Sequence, residues 1–111
     1  MKTVLLVSNL RAHVALYEKR LGRHFCVRFA PKVEGGSGRV DAIIYDIAAE
    51  HTSIDLRWLA HLEVPVVVLT PEDAIQLPEG PTRKVLTYPV RADQIIRALA
   101  ELGVKSEGGD W

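Results

Sequence analysis

The sequence predicts an α/β fold in which one parallel β-sheet is covered by helices on both faces. Short uninterrupted apolar runs alternate with helical stripes of apolar residues, and glycine or proline stands at many of the junctions. Continuous apolar runs are typical of parallel strands, which are buried on both faces. The 111 residues suffice for one domain. We predict that this domain spans residues 1–103 and that residues 104–111 form a flexible C-terminal tail.

Five segments have the composition of β-strands. Most of them are rich in valine, leucine and isoleucine, with few polar positions. The segment FCVRFA instead alternates around Arg28 and is followed by Pro31, so we expect it to form an edge strand. The predicted strands are TVLLV (3–7), FCVRFA (25–30), VDAIIYD (40–46), VPVVVLT (64–70) and KVLTY (84–88).

Helical patterns follow the first, third and fifth of these strands. The first helix has Asn9 as a candidate N-cap and Gly22 as a candidate stop. The other two helices are expected over residues 52–62 and 91–103. The inward stripes consist of Leu10, Val14, Tyr17 and Leu21 in the first helix and of Ile95, Leu99 and Leu102 in the last.

The helices after the second and fourth strands are expected to be shortened. Residues 31–39 include three glycines, and residues 71–82 are cut short as a helix by Pro71, Pro78 and Pro81. Both segments belong to the same face of such a sheet, so this face should be thinly covered. An exposed apolar surface often marks a binding site, and we therefore expect a partner to bind there.

The alternation of strands and helices favours the strand order 2-1-3-4-5, a flavodoxin-like three-layer sandwich. In such folds the functional crevice lies outside the carboxyl ends of the strands, at the point where the strand order reverses. Asp46 is the single acid at the end of a buried strand, and this topology puts it beside the first strand. The polar residues at the other strand ends are Ser8, Asn9, Thr70 and Tyr88.

Composition limits the classes of partner. Acidic and basic residues balance at fourteen each, so no broad charge favours nucleic acid or anionic lipid. The single cysteine, Cys26, cannot form an internal disulfide, which suits the cytoplasm. No apolar run has the roughly 20 residues needed to cross a bilayer. We expect a cytoplasmic protein with no nucleic-acid or membrane partner.

The order and spacing of these residues resemble the receiver domain of two-component response regulators over roughly residues 3 to 103. Asp46 ends the third strand, Thr70 ends the fourth, and the pair Tyr88–Pro89 ends the fifth. In that family the aspartate of the third strand accepts a phosphoryl group, and two acids after the first strand hold Mg²⁺. The hydroxyl residue of the fourth strand and a lysine before the proline contact the phosphoryl group.

Several positions depart from the family pattern. The acid pair falls on Ser8 and Asn9, the lysine falls on Tyr88, and the switch aromatic falls on Val85. Neutral oxygens are weak ligands for Mg²⁺, and phosphoryl transfer depends on positioning and charge neutralisation. The resemblance therefore implies a degenerate receiver, or pseudo-receiver, with no cofactor and no metal. Asp46 stays as the phosphoacceptor-equivalent position, and Ser8, Asn9, Thr70, Tyr88 and Pro89 form a degenerate pocket.

The resemblance implies a phosphorylation-independent signalling or regulatory module that acts by protein–protein interaction and is not an enzyme. Its partner would be another protein or a second copy of this chain. We expect Asp46 to be held by hydrogen bonds from Asn9, Thr70 or the Tyr88 hydroxyl. Two alternatives stay open: a response regulator phosphorylated on Asp46, and a flavodoxin-like domain that binds a small ligand.

The remaining reactive side chains give weaker signals. The four histidines have no metal-ligand spacing, and we interpret them as scattered surface residues: His13, His24, His51 and His61. Cys26 has no cationic neighbour in sequence and is interpreted as inert packing in its strand.

Overall fold

The computed structural model describes residues 2–8, 10–30, 40–46, 64–70, 82–88 and 90–105. Within these ranges the chain forms five strands and two helices. The strands are β1 (Thr3–Val7), β2 (Cys26–Ala30), β3 (Ala42–Asp46), β4 (Val66–Thr70) and β5 (Arg83–Thr87), and the helices are α1 (Arg11–Leu21) and α2 (Ala92–Glu101).

The strands form one parallel sheet in the order β2-β1-β3-β4-β5. This confirms the predicted topology, and each strand lies within two residues of its predicted bounds. β3 is the central strand, and β1 lies beside it although the two are separated in sequence by α1 and β2. The strand order reverses between them, so the end of β3 lies at the switch point of the sheet.

Alternate side chains of the strands enter two apolar clusters, one on each face of the sheet. The main cluster joins Val4, Leu6, Ile44, Val67 and Leu69 of the strands to buried residues of α1 and α2. Both helices therefore cover the same face. The second cluster on the opposite face contains Leu5, Val7, Ile43, Val66 and Val68. Burial on both faces explains the continuous apolar runs of the central strands.

The second face is less open than the sequence predicts. Its five cluster residues are at most 4 % exposed, so the expected apolar surface is absent at these positions. The segments from which that expectation came, 31–39 and most of 71–82, lie outside the described residues, as does the predicted helix over 52–62.

α1 begins one residue later than a cap at Asn9 would require. Leu10 is the N-cap residue and makes no side-chain capping bond, and Asn9 lies outside the described residues. Tyr17 and Leu21 are buried as predicted, whereas Leu10 is 37 % exposed and does not join the stripe. The helix ends before Gly22, whose N–H donates to the carbonyl of Glu18 at 2.9 Å.

α2 is more deeply packed, and its end is fixed by a backbone motif. Ile95, Ile96, Ala98 and Leu99 are buried, and Leu102 is half-buried. Gly103 has a positive φ of 91°. Its N–H donates to Ala100, and the next N–H, of Val104, donates to Leu99. These are the two bonds of a Schellman motif, which favours glycine at its left-handed position.

The residue that follows the predicted end of the domain at 103 packs against the core. Val104 is buried and belongs to the main cluster, because the Schellman turn directs the chain back onto the sheet. Neither of the two described helices is long and apolar enough to cross a membrane.

Candidate functional site

The carboxyl ends of β1 and β3 bring two polar side chains together. Val7 and Tyr45 are partners in the parallel register, so the next residues, Ser8 and Asp46, lie side by side. Both are buried, at 2 % and 5 % exposure. A buried polar group costs free energy unless it is hydrogen-bonded. The site is therefore defined by the partners that these residues have.

The Asp46 carboxylate is fully buried and receives hydrogen bonds on both oxygens. The Ser8 hydroxyl donates to Oδ2 at 2.8 Å, and the Tyr88 hydroxyl donates to Oδ1. Nδ1 of His13 lies 2.8 Å from Oδ2. We call these four residues, Ser8, His13, Asp46 and Tyr88, the Asp46 cluster. It joins the ends of β1, β3 and β5 to the first turn of α1.

Ser8 connects the carboxylate to the start of α1. Its hydroxyl oxygen accepts the N–H of Leu10 at 3.1 Å while its proton is directed to Asp46. Leu10 is the N-cap residue of α1, where backbone N–H groups lack helical partners. The same serine therefore satisfies a buried acid and helps to fix the point at which the helix begins.

His13 was not expected in this site. The interpretation as a surface histidine is wrong, because its ring contacts the buried carboxylate and its side chain is only 30 % exposed. An ionised carboxylate only accepts hydrogen bonds, so a close contact with Nδ1 requires a proton on that nitrogen. His13 is thus either a neutral Nδ1–H tautomer or an imidazolium paired with Asp46.

Two tyrosines flank the His13 ring. The Tyr88 ring centroid lies 5.4 Å away at 47°, and the Tyr17 centroid lies 5.9 Å away in an edge-on arrangement. The Tyr88 hydroxyl is 3.3 Å from Nδ1. Burial raises the pKa of Tyr17, and the negative charge of Asp46 raises it further. Tyr17 therefore remains a neutral phenol over a wider pH range than a free tyrosine.

The other predicted site residues are only partly described. Thr70 is buried at the end of β4, and its carbonyl accepts the N–H of Tyr88 at 2.9 Å. Tyr88 is bonded to Asp46 as predicted. Asn9 and Pro89 lie outside the described residues. Ser8, which was expected only as a vacated metal position, is a direct hydrogen-bond donor to the acid.

Two further interpretations of single residues change. Cys26 is an exposed free thiol at the start of β2, so it does not pack in the core. His24 lies half-buried in the turn before that strand, and it takes no part in the Asp46 cluster. Over the described ranges, no group of three or more His, Cys, Asp or Glu side chains is arranged to hold a metal ion.

Topology was the signal that could have revealed His13. The first turn of a helix that follows β1 stands directly above the carboxyl ends of the strands in this fold. His13 is the third residue of α1 and so lies at the same edge as Asp46. Ligand spacing along the chain gives no sign of this contact, because the two residues are 33 positions apart in sequence.

Comparisons with known proteins support the fold. No protein-family model matches the sequence, and a search of curated proteins finds no match. Among solved structures, the chain is similar to a response regulator receiver protein from Sinorhizobium medicae, with a TM-score of 0.68. The fold is that of a receiver domain. The likeness covers 91 % of this chain and 93 % of the other, at 18 % sequence identity.

Proposed function

We propose that this receiver-like domain is a signalling or regulatory module that acts through protein–protein interaction, independently of phosphorylation at Asp46. In this proposal the domain is a binding module and not an enzyme. The observation that carries it is the closed state of the carboxylate. Both oxygens of Asp46 are occupied by donors from the protein itself, and the side chain has no exposed surface.

A phosphoryl acceptor needs an oxygen that is free to attack phosphorus in line with the leaving group. At Asp46, Oδ1 accepts a hydrogen bond from the Tyr88 hydroxyl. Oδ2 accepts a hydrogen bond from the Ser8 hydroxyl and lies against Nδ1 of His13. Freeing Oδ2 would leave the buried Ser8 hydroxyl without its acceptor, and freeing Oδ1 would do the same to the half-buried Tyr88 hydroxyl. Hydrogen bonds to a charged group contribute about 1.5–3 kcal/mol each, so this opening is costly.

Charge supports the same proposal. Phosphoryl transfer to a carboxylate brings two anions together, and a metal ion or a cationic side chain must offset their repulsion. Ser8 offers a neutral oxygen, and its proton is already donated to Asp46. Tyr88 is neutral and lies where the resemblance would have a lysine. His13 is the nearest cation-forming group, and it is already in contact with the carboxylate.

The test of the proposal is an NMR titration with Mg²⁺ and beryllofluoride, which together mimic a phosphorylated aspartate. We expect no shift of the Asp46 backbone amide or of its strand neighbours at millimolar Mg²⁺. Large shifts that disappear in Asp46→Asn would contradict the proposal and favour a response regulator phosphorylated on Asp46.

The interaction component needs a separate test. Affinity capture from the source cells with the wild-type domain as bait should retain a specific protein, and Asp46→Asn should retain the same protein. Capture that depends on a phosphodonor and on Asp46 would contradict the phosphate-independent mode. A small metabolite that raises the melting temperature, with no captured protein, would favour the small-ligand alternative.

A further inference from the structure

The geometry of the Asp46 cluster points to a second reactive group. We propose that Nε2 of His13 is the phosphoryl-accepting atom of this site, and that it reacts with small high-energy phosphodonors such as acyl phosphates and phosphoramidate. The proposal rests in part on the proposed function, because it needs Asp46 to be closed to phosphate. It assigns to the aspartate the role of orienting the histidine.

The contact with Asp46 selects the tautomer of His13. Oδ2 accepts the Ser8 proton and lies 2.8 Å from Nδ1, and Oδ1 accepts the Tyr88 proton. A lone pair on Nδ1 would face a carboxylate oxygen and be repelled, so the proton of a neutral ring belongs on Nδ1. The unshared electron pair of the neutral ring is therefore on Nε2.

Nε2 is also the accessible nitrogen. The carboxylate that binds Nδ1 is completely buried, whereas the His13 side chain keeps 30 % of its surface exposed. Within the part of the chain that the structure describes, Nε2 has no hydrogen-bond partner, and the recorded contacts of the ring nitrogens all involve Nδ1. Among the described residues, the nucleophilic nitrogen is thus free of hydrogen-bond partners, and the other nitrogen is held in place.

The position of His13 in α1 favours a phosphoryl group. His13 is the third residue of an 11-residue helix. Backbone N–H groups in the first turn lack helical acceptors, and the helix dipole stabilises negative charge there. The electrostatic contribution of a helix start is modest, so it assists the reaction without driving it.

The reaction balances without a metal or a redox partner. Nε2 attacks phosphorus and the Nε2–P bond forms. With an acyl phosphate, the bond from phosphorus to the acyl oxygen breaks and the carboxylate leaves. With phosphoramidate, the bond from phosphorus to nitrogen breaks and the protonated amino group leaves as ammonia. A ring that has gained phosphorus on Nε2 and still has its Nδ1 proton carries positive charge. Asp46 lies against that proton and offsets the charge, as an oriented carboxylate does for other nucleophilic or basic histidines.

The test is incubation of the whole chain with acetyl phosphate or phosphoramidate at mildly alkaline pH, read by intact mass. We expect one phosphoryl adduct that survives alkali and is lost in acid, as a phosphoramidate bond is. His13→Asn should abolish the adduct, since its amide can still donate to Asp46 but has no counterpart of Nε2. His24→Gln is the matched control and should leave the adduct unchanged.

The role of Asp46 in orienting His13 is tested with the same assay. Asp46→Asn should keep the adduct on His13 but slow its formation by about tenfold or more, because an amide no longer fixes the Nδ1–H tautomer. The ¹⁵N shifts of the His13 ring should change at the same time. A loss of rate with unchanged ring shifts would contradict the orienting role.

The remaining outcomes separate the two proposals. Absence of any adduct on the folded wild type would overturn the inference about His13 and leave the proposed function standing. An alkali-labile adduct that persists in His13→Asn and is lost in Asp46→Asn would overturn both. An adduct that is lost in His24→Gln would place the reaction at a histidine outside the Asp46 cluster and would also overturn the inference.

Discussion

The two described helices cover the same face of the sheet but are held by different forces. α2 buries four apolar side chains and ends in a Schellman motif whose following residue, Val104, also enters the core. α1 buries only Tyr17 and Leu21. At its start α1 is instead connected to the sheet by polar contacts, through Ser8 to Leu10 and through His13 to Asp46.

Within the helical layer on this face, α2 thus has a structural role, whereas the start of α1 belongs to the candidate site. Apolar packing is insensitive to protonation or to a bound group, whereas the contacts at the start of α1 depend on the charge of Asp46 and on the proton of His13. A chemical change at the Asp46 cluster should therefore be transmitted to α1 and not to α2. Measurements on variants of both helices can break or sharpen this contrast.

The largest effect is expected from Leu99→Ala in α2. Leu99 is fully buried in the main cluster. Leucine-to-alanine changes at such positions cost about 2–5 kcal/mol through lost transfer energy and the cavity left behind. Leu16→Ala in α1 is the control, because that side chain is 44 % exposed and should change stability by no more than about 0.5 kcal/mol. Urea unfolding compares the two, and equal losses would contradict the contrast.

His13→Ala should have the second largest effect. It removes the imidazole that lies against a fully buried carboxylate, and hydrogen bonds to charged groups contribute about 1.5–3 kcal/mol. Amide hydrogen exchange should rise in the first turn of α1 and stay unchanged in α2. His24→Ala, beyond the other end of α1, does not involve Asp46 and serves as the control. Equal rises in exchange along both helices would show that they respond as one unit.

Gly103→Ala tests the end of α2 and should cost less. The residue has φ of 91°, and an L-residue in the left-handed region costs roughly 1–2 kcal/mol. No atom lies within 4 Å of an added Cβ, so the expected loss is conformational and not steric. Thermal unfolding of the variant measures it. An unchanged melting temperature would mean that the Schellman motif contributes little to the position of α2.

The smallest effect concerns the pKa of Tyr17. Burial is the main cause that raises this pKa, and the charge of Asp46 is the second. Asp46→Asn should therefore lower the Tyr17 pKa while leaving it above the ordinary value near 10. Tyr45, whose pKa is raised by burial, is the control and should not respond. Ultraviolet titration of wild type and variant, with Tyr17→Phe to assign the signal, measures the difference.

The same shift predicts how stability depends on alkaline pH. The folded pKa of Tyr17 exceeds the unfolded one, so the fold favours the neutral phenol. This contribution is complete below the unfolded pKa near 10 and is lost as pH rises through the folded pKa. Tyr17→Phe should therefore flatten the alkaline decline in the free energy of unfolding. An equally steep decline in the variant would contradict the assignment.

The pattern of apolar residues predicted most of the fold, because the burial of each strand is recorded in the residues of that strand alone. Burial on both faces requires continuous apolar strands, and β1, β3 and β4 have them. The strand order then followed from general rules of connection and placed Asp46 at the switch point. Periodicity did not predict the details that depend on tertiary contacts. These are the start of α1, where Leu10 and not Asn9 is the N-cap residue, and the burial of Val104 in the core.

The candidate site was predicted only where a residue type was unusual for its position. Asp46 is an acid at the end of an apolar run, and Tyr88 stands where the resemblance would have a lysine. His13 has no such distinction, because a histidine in the first turn of a helix is ordinary in sequence and its partner is 33 positions away. A contact between elements that are distant in sequence has no periodic signature along the chain.

The most direct test of the account is the ring state of His13, since both proposals depend on its contact with Asp46. Long-range ¹H–¹⁵N correlation spectra of the histidine rings at mildly alkaline pH report which nitrogen carries the proton. The account predicts a protonated Nδ1 and an unprotonated Nε2 for His13, with this pattern lost in Asp46→Asn. A proton on Nε2, or the same averaged ring signals in wild type and Asp46→Asn, would contradict it.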